Sequence, residues 1–460
     1  MAAVLSVAPV EEADEGLRDL VEFRERVYAC LTGRRDALFG VLDAVCCPVV
    51  VESLAHLSLA ERHQRRHGSV YGALARGRIE ADWLREELVL ARDRSWPLVF
   101  AVDVSTWCRS DAECSAGRGY YYHPSRHSAG QPIVAGWSYQ WIAQLSWAAD
   151  SWTAPMDAVR LDPHPQAPGP EQVAAGQIRD LLGRLGPTGV VPWFVFDGGY
   201  DPVQLTVELA GTRAQTLTRI KSSRIFHLAP PPRPPGRSGA PRRHGAKFRC
   251  AEPATWPEPD QVLLTCDVQY GTVSVAAWHG LHPLQRTYRE ENGALSIIPG
   301  TVLRVQVEHL PGRIDRAAKV LWLWWDAPAG TACDLDVAWR AYVRRFDLDH
   351  TYRFAKQVLG WTTPKVRTPE QADRWTWLVI AAYTQLRLAR HLVEDHRLPW
   401  QPPLPADRRT PGRVRRGYGH LLARTGSPAR PPKPRGRPPG RPRGRRSAPA
   451  PRCPAIKKQA

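Results

Sequence analysis

Two short runs restrict the fold more than any other part of the chain. Pro97 to Val104 reads PLVFAVDV, and Val190 to Tyr200 reads VVPWFVFDGGY. Both are apolar without alternation, as strands buried on both faces of a sheet are. Each delivers one carboxylate near its C-terminal end, Asp103 and Asp197. A buried charge costs several kcal/mol, roughly, unless it is paired or bound to metal. For Asp103 the competing reading is a cap on the next turn through Ser105 or Thr106. Gly198 and Gly199 allow a sharp turn that leaves Asp197 facing open space. Ligands of open α/β sheets bind at such strand ends. The expectation is an α/β fold in which the two acids converge on neighbouring strands.

The flanking sequence supplies the rest of a sheet. Ile133 to Leu145 and Trp152 to Leu161 continue as a meander from the strand of Asp103. Pro170 to Leu185 is an amphipathic helix stopped by Gly186 and Pro187. Ala214 to Phe226 is expected as a third strand, with Arg219, Lys221 and Arg224 on one face able to meet phosphates. A Pro/Gly/Arg-rich break covers 228–257. Strand-like stretches follow at 261–269, 272–278, 301–309 and 318–326. The last carries Trp322, Trp324 and Trp325, read as core unless one is exposed to stack on an unpaired base.

The domain reading follows these shifts. Residues 1–15 are acidic and expected disordered. Residues 16–95 read as a helical domain. Its Arg62, Arg65, Arg66 and His67 form either a DNA-binding cluster or an ordinary solvated face. Residues 96–227 form the first part of the core, and 228–330 a β-rich insertion. Residues 331–398 hold the final helices, including an amphipathic one from Pro369 to Leu392. Residues 399–460 read as a disordered basic tail.

Within those final helices, Ala341 to Trp361 places Tyr342, Arg345, Asp349, Tyr352 and Lys356 at steps of three, four, three and four. In a helix such steps keep one face. An acid between an arginine and a lysine on one stripe is either a set of solvated ion pairs or a site. Asp347 points roughly 200° away from Asp349 at about 100° per residue, so Asp349 is the preferred acid.

The formal charge of +18 favours a polyanionic partner. Only 8 of the 63 basic residues are lysine, so part of that charge reflects coding bias. The 9 cysteines show no CxxC pair and are odd in number, which points to free thiols in a reducing cytosol. No secretory signal is expected from the N-terminal residues, and no apolar run is long enough to span a membrane. From Arg424 to Ala460 the chain has 12 basic residues, no acidic one and 10 prolines. Its Arg435-Gly436-Arg437-Pro438 core, followed by Arg441, resembles an AT-hook, whose arginines enter the narrow minor groove of A·T-rich DNA.

The order strand-Asp103, strand-Asp197, β-rich stretch and helix-Asp349 resembles the catalytic core of DDE transposases. More narrowly, it resembles the bacterial insertion-sequence-four-like class, including the insertion-sequence-seven-hundred-and-one-like group. That class carries a tyrosine, arginine, glutamate, lysine signature, matched here in spacing by Tyr342, Arg345, Asp349 and Lys356. Aspartate replaces glutamate, and Asp197-Gly198-Gly199-Tyr200 has one extra glycine against the class pattern. The resemblance covers about 96–392 and implies a ribonuclease-H-like core. It implies that Asp103, Asp197 and Asp349 hold two Mg²⁺ ions, with Mn²⁺ able to substitute, for cut-and-paste strand transfer. It also implies that Tyr342, Arg345 and Lys356 contact DNA. The partners would be double-stranded DNA, both element ends and target, and a second copy of the chain, in the cytoplasm at the nucleoid and away from membranes. The other readings are a DNA-binding protein derived from a transposase but impaired in catalysis, and a nuclease of the same fold that cuts without joining.

Overall fold

The structure is a computed structural model. It describes residues 10–122, 133–148, 150–233, 235, 236, 238–240, 242–290, 293–310, 320–433, 444 and 449–457. The AT-hook-like arginines Arg435, Arg437 and Arg441 lie outside the described residues.

The first ninety residues are helical, as their periodicity predicts. They comprise α1 (Val10–Cys30), α2 (Arg35–Cys46), the single turn α3 (Leu54–Leu57), α4 (His67–Arg76) and α5 (Ala81–Leu90). A two-stranded ribbon of β1 (Leu31–Gly33) and β2 (Arg78–Ile79) ties α1 to α5. Helix α1 begins at Val10, inside the stretch expected to be disordered. Arg62, Arg65 and Arg66 lie in the connection between α3 and α4 rather than on a helix face.

The sheet is built from β3 (Val99–Cys108), β4 (Gly119–Tyr122), β5 (Ile133–Leu145) and β6 (Thr153–Leu161). After α6 (Pro170–Leu185) come β7 (Trp193–Phe196), α7 (Pro202–Glu208) and β8 (Gln215–Ile220). β5 runs antiparallel to β3 and β6, while β7 is parallel to both β3 and β8. The apolar runs of β3 and β7 need burial on both faces, and α6 covers one of them. Phe100, Val102, Phe194 and Phe196 pack there with Ile178 and Leu181. Val99, Ala101, Trp193 and Val195 point the other way, into the main core.

The stretch expected as one strand from Ala214 to Phe226 is two. β8 ends at Ile220, and a turn closed by Arg224 N–H to Lys221 O (3.0 Å) precedes β9 (Ile225–His227), which pairs with β10 (Lys247–Arg249). Arg224 is off the common face expected for it: five residues from Arg219, it would point oppositely even in a continuous strand, and the turn removes it from β8. β11 (Gln261–Asp267), β12 (Gly271–Leu281), β13 (Gly300–Val307) and β14 (Leu321–Asp326) then extend the same sheet antiparallel from β8. Among the described residues ten strands form one sheet, in the order β11-β12-β13-β14-β8-β7-β3-β5, with β4 and β6 both on β5. Trp322 and Trp324 are core, packed with Phe226, Phe248 and Trp278. Gly300 is required where it stands, because an added Cβ would lie 2.2 Å from the Trp324 ring.

The remaining helices are α8 (Leu335–Arg344), α9 (Phe346–Gln357), α10 (Pro369–Leu388) and α11 (Pro411–Thr425). α10 is buried almost all round, because the sheet lies on one side and α1, α2 and α11 on the other. The N-terminal helices therefore share one core with the sheet instead of standing apart from it. α11 corrects the expected disordered tail. Val414, Tyr418, Leu421 and Leu422 recur at helical spacing and are buried, and Arg415 reaches the Val45 and Val49 carbonyls at 3.0 and 2.8 Å. Its basic, proline-flanked composition hides this apolar stripe. Further on, Cys453 N–H and Ile456 N–H donate to Glu113 O and Arg118 O, both at 2.7 Å, beside β4.

Buried Arg24 joins these layers. Its guanidinium donates to Asp43 (2.7 Å) in α2, Gln385 (2.6 Å) in α10 and the Gly426 carbonyl (2.9 Å) after α11.

Candidate active site

Strand register places the two acids. In the parallel pair β3–β7, Val102 is level with Phe196, so Asp103 and Asp197 are level one residue further. Neighbouring strands are about 4.8 Å apart, and level residues point to the same face. By alternation that face is the one of Ala101 and Val195, under α8 and α9. One residue past the β8 ladder, Arg219 is level with Asp197 on the same face and exposed.

Helix α9 is fixed over the acids by aromatic packing. Tyr352 donates to the Asp103 carbonyl (2.7 Å), stacks on Trp361 (5.9 Å) and meets Trp141 edge-on (5.3 Å). Trp141 is the residue paired with Asp103 across β5. It is a contact the aromatic alternation of that strand could have signalled. The expected single helix is divided at Arg345, whose N–H is shared between Ala341 O and Tyr342 O at 3.1 and 3.2 Å. Arg345 keeps helical angles, so the stripe of Tyr342, Arg345, Asp349 and Tyr352 stays turned to the sheet.

Arg345 links the acids. Its guanidinium lies 3.1 Å from Asp103 Oδ2 and 3.9 Å from Asp349 Oδ2. It also stacks on Phe346 and Tyr342, at 4.8 and 5.9 Å from the ring centres. Burial pushes the Asp103 carboxyl up to about 7, against the pull of Arg345 and with help from Asp197 and Asp349. Burial also raises Asp349, partly offset by Arg345, with Asp197 adding to the rise. Asp197 accepts the Gly199 N–H at 2.8 Å, so the glycine turn shapes that carboxylate. Next to it, buried Tyr200 donates to Gln140 (3.0 Å), which donates to Gln177 (2.9 Å), itself bound to Asp157 (2.7 Å).

Asp347 is turned away from this group. It pairs with Arg344 at 2.9 Å and lies by Ser151 and Asp150. Tyr342 is buried with its hydroxyl against Arg219. Lys356 lies one turn beyond Tyr352, its ammonium 5.7 Å from the Trp361 ring, and burial lowers its proton affinity. Lys221 is exposed in the turn after β8.

Three carboxylates on one face are hard oxygen donors of the kind Mg²⁺ takes. Burial raises Asp103 and Asp349 and their repulsion adds to it, and a bound cation would oppose both. In donor type, though not in spacing, the set fits such an ion. In the structure Arg345 supplies the countercharge, and no three His, Cys, Asp or Glu side chains among the described residues are gathered into an ion-holding group.

No curated protein matches the sequence. The sequence model of one family, described as DDE superfamily endonuclease, matches residues 26–283, more than half of the chain. The match runs through both strand-borne acids and stops short of α9. On that extent of similarity, the chain belongs to the DDE superfamily endonucleases.

Proposed function

We propose that the protein is a transposase that cleaves the ends of an insertion sequence and joins them to target DNA. The observation that carries this is the level placement of Asp103 and Asp197 on neighbouring parallel strands, with Asp349 above the same face and Arg345 between them. Supporting it, the strands β6-β5-β3-β7-β8 follow the order of a ribonuclease-H-like core, as the resemblance implies. The α9 stripe also keeps the spacing of the insertion-sequence-four-like signature. Asp103, Asp197 and Asp349 would be the residues that hold two metal ions. Two Mg²⁺ ions, or Mn²⁺, supply activation of the attacking oxygen and stabilisation of the leaving one. The chain's own cations act on the substrate. Exposed Arg219 holds a backbone phosphate through its forked donors and Lys356 acts as a point charge, whereas Arg345, expected to contact DNA, is buried on Asp103 and orders the acids instead. Tyr342, expected to contact DNA, is buried and supports Arg345 and Arg219 instead. Two element ends require two copies of the chain. The protein works on the nucleoid; among the described residues no helix is long and apolar enough to cross a membrane.

The test is strand transfer on a donor duplex carrying the element's terminal inverted repeats, with Mg²⁺ or Mn²⁺. Joined product is expected. Cleavage without joining would replace the transposase by a nuclease. Binding without cleavage would support a DNA-binding protein impaired in catalysis, the reading favoured by the open spacing of the three acids.

Two further results are expected. Aspartate is one methylene shorter than glutamate, which leaves its oxygens about 1 Å nearer the helix, and a shortfall of that size costs on the order of a hundredfold. Asp349→Glu should therefore raise the strand-transfer rate by about tenfold or more in single-turnover assays; an unchanged or lower rate would show that the site is built for aspartate. Arg219→Ala should weaken duplex binding and reduce the slope of log K against log salt by about one phosphate contact. A fluorescence-anisotropy salt series measures it, and an unchanged slope removes Arg219 from the interface.

A further inference from the structure

Outside the carboxylate site, three histidines from distant parts of the chain meet. His227 ends β9, His282 follows β12, and His244 lies in the return from the Pro/Arg-rich break. His227 and His282 are paired through their backbones, N–H to O at 2.8 and 3.1 Å, and both are buried. Their backbones are thus fixed relative to each other, which holds the two rings within reach. His244 is brought in by the neighbouring backbone, where Gly245 N–H donates to Leu228 O and Leu228 N–H to Ala246 O, at 2.9 and 3.0 Å. Gly245 permits this approach, since an added Cβ would lie 2.2 Å from the Ala229 carbonyl oxygen.

We propose that His227, His244 and His282 bind one divalent late transition-metal ion of the Zn²⁺ class, which staples the Pro/Arg-rich segment to the sheet. The ring spacing carries the proposal. With Zn–N bonds of about 2.0–2.1 Å and tetrahedral angles, imidazole centres lie about 5 Å apart. Here they are 5.2 Å (His244–His282), 5.4 Å (His227–His244) and 6.0 Å (His227–His282). His244 Nδ1 and His282 Nε2 face each other at 2.9 Å. His227 Nδ1 is buried without a hydrogen-bond partner.

The three donors do not yet converge on one point. In the metal-free arrangement one ring proton sits between His244 and His282. Binding moves that proton to the outer nitrogen of the same ring, opens the pair by a few tenths of an ångström, and turns the His227 ring about Cβ–Cγ to present its free nitrogen. No proton is lost in this exchange. The His282 ring also bonds the Gly280 backbone, the kind of outer contact that orients metal-bound imidazoles. His244 is only partly buried and gives the ion a way in. Imidazole nitrogens select Zn²⁺ over Mg²⁺, so this site and the carboxylates would not compete for one ion.

The experiment uses the full-length, tag-free protein in excess Mg²⁺, titrated with Zn²⁺ against a chelating dye. One equivalent is expected to bind at submicromolar concentration. Co²⁺ should give the visible absorption of a four-coordinate nitrogen site. Trypsin cleavage between residues 228 and 243 should slow at least tenfold on Zn²⁺ addition. His244→Ala should weaken binding at least a hundredfold and abolish the protection, while Mg²⁺-dependent action on DNA persists. Equal Zn²⁺ affinity in His244→Ala, or no saturable equivalent in the wild type, would overturn the proposal. If the variant fails to fold, the wild-type Co²⁺ spectrum and trypsin protection decide alone, and absence of both rejects the site. None of these readouts depends on whether the protein joins DNA.

Discussion

Asp103→Asn is expected to reduce DNA cleavage and strand transfer by at least about 1000-fold, roughly 4 kcal/mol in the barrier. The same change should shift the melting temperature by only a few degrees. Burial drives the Asp103 carboxyl up to about 7, so its charge is disfavoured in the fold even beside Arg345. A neutral amide of the same shape removes that burden, and Arg345 keeps Asp349. The sign of the pH dependence follows. A carboxyl raised on folding contributes stability in full below about pH 4, its unfolded value, and loses it as pH rises through about 7. Without divalent ions, the wild type should therefore gain on the variant at pH 5 relative to pH 8. Added Mg²⁺ at pH 8 should raise the melting temperature of the wild type more than that of Asp103→Asn. A variant that cleaves within tenfold of the wild type would remove Asp103 from the chemistry.

The second large effect lies far from the acids. Asp43→Ala should destabilise the protein by about 3–5 kcal/mol, because it leaves the Arg24 guanidinium buried without its ionic partner. Replacing both by apolar residues, Arg24→Met with Asp43→Leu, should recover most of that loss. Urea unfolding midpoints measure both. A cost below 1 kcal/mol for Asp43→Ala would mean that Gln385 and the Gly426 carbonyl suffice for Arg24.

The acids were legible because a central strand needs apolar residues on both faces, which makes a lone aspartate stand out in PLVFAVDV and in VVPWFVFD. Their level register was only implied by the similar placement in two runs. The α9 stripe was legible through its spacing, although spacing alone does not show the break at Arg345. The extension of the sheet from β8 into β14 was hidden, since strands say little about which neighbour they will choose. α11 was obscured by composition: arginines that hydrogen-bond core carbonyls look, in sequence, like arginines in solvent. The histidine cluster has no local signature, because three separated chain segments build it. Arg24 is the same kind of case, a cation whose partners are supplied by other helices.

The Arg24 junction also bears on how the chain is made. Its partners Gln385 and Gly426 lie 361 and 402 residues downstream. At about 5–20 residues per second, Gly426 is synthesised roughly 20–80 s after Arg24. For most of that interval α1 and α2 can bury Arg24 against Asp43 alone, because α10, the helix that completes their core, ends only at Leu388. The N-terminal helices thus cannot finish folding on the ribosome ahead of the rest. Closure of the core waits for α10 and the segment after α11, with exposed apolar surface until then.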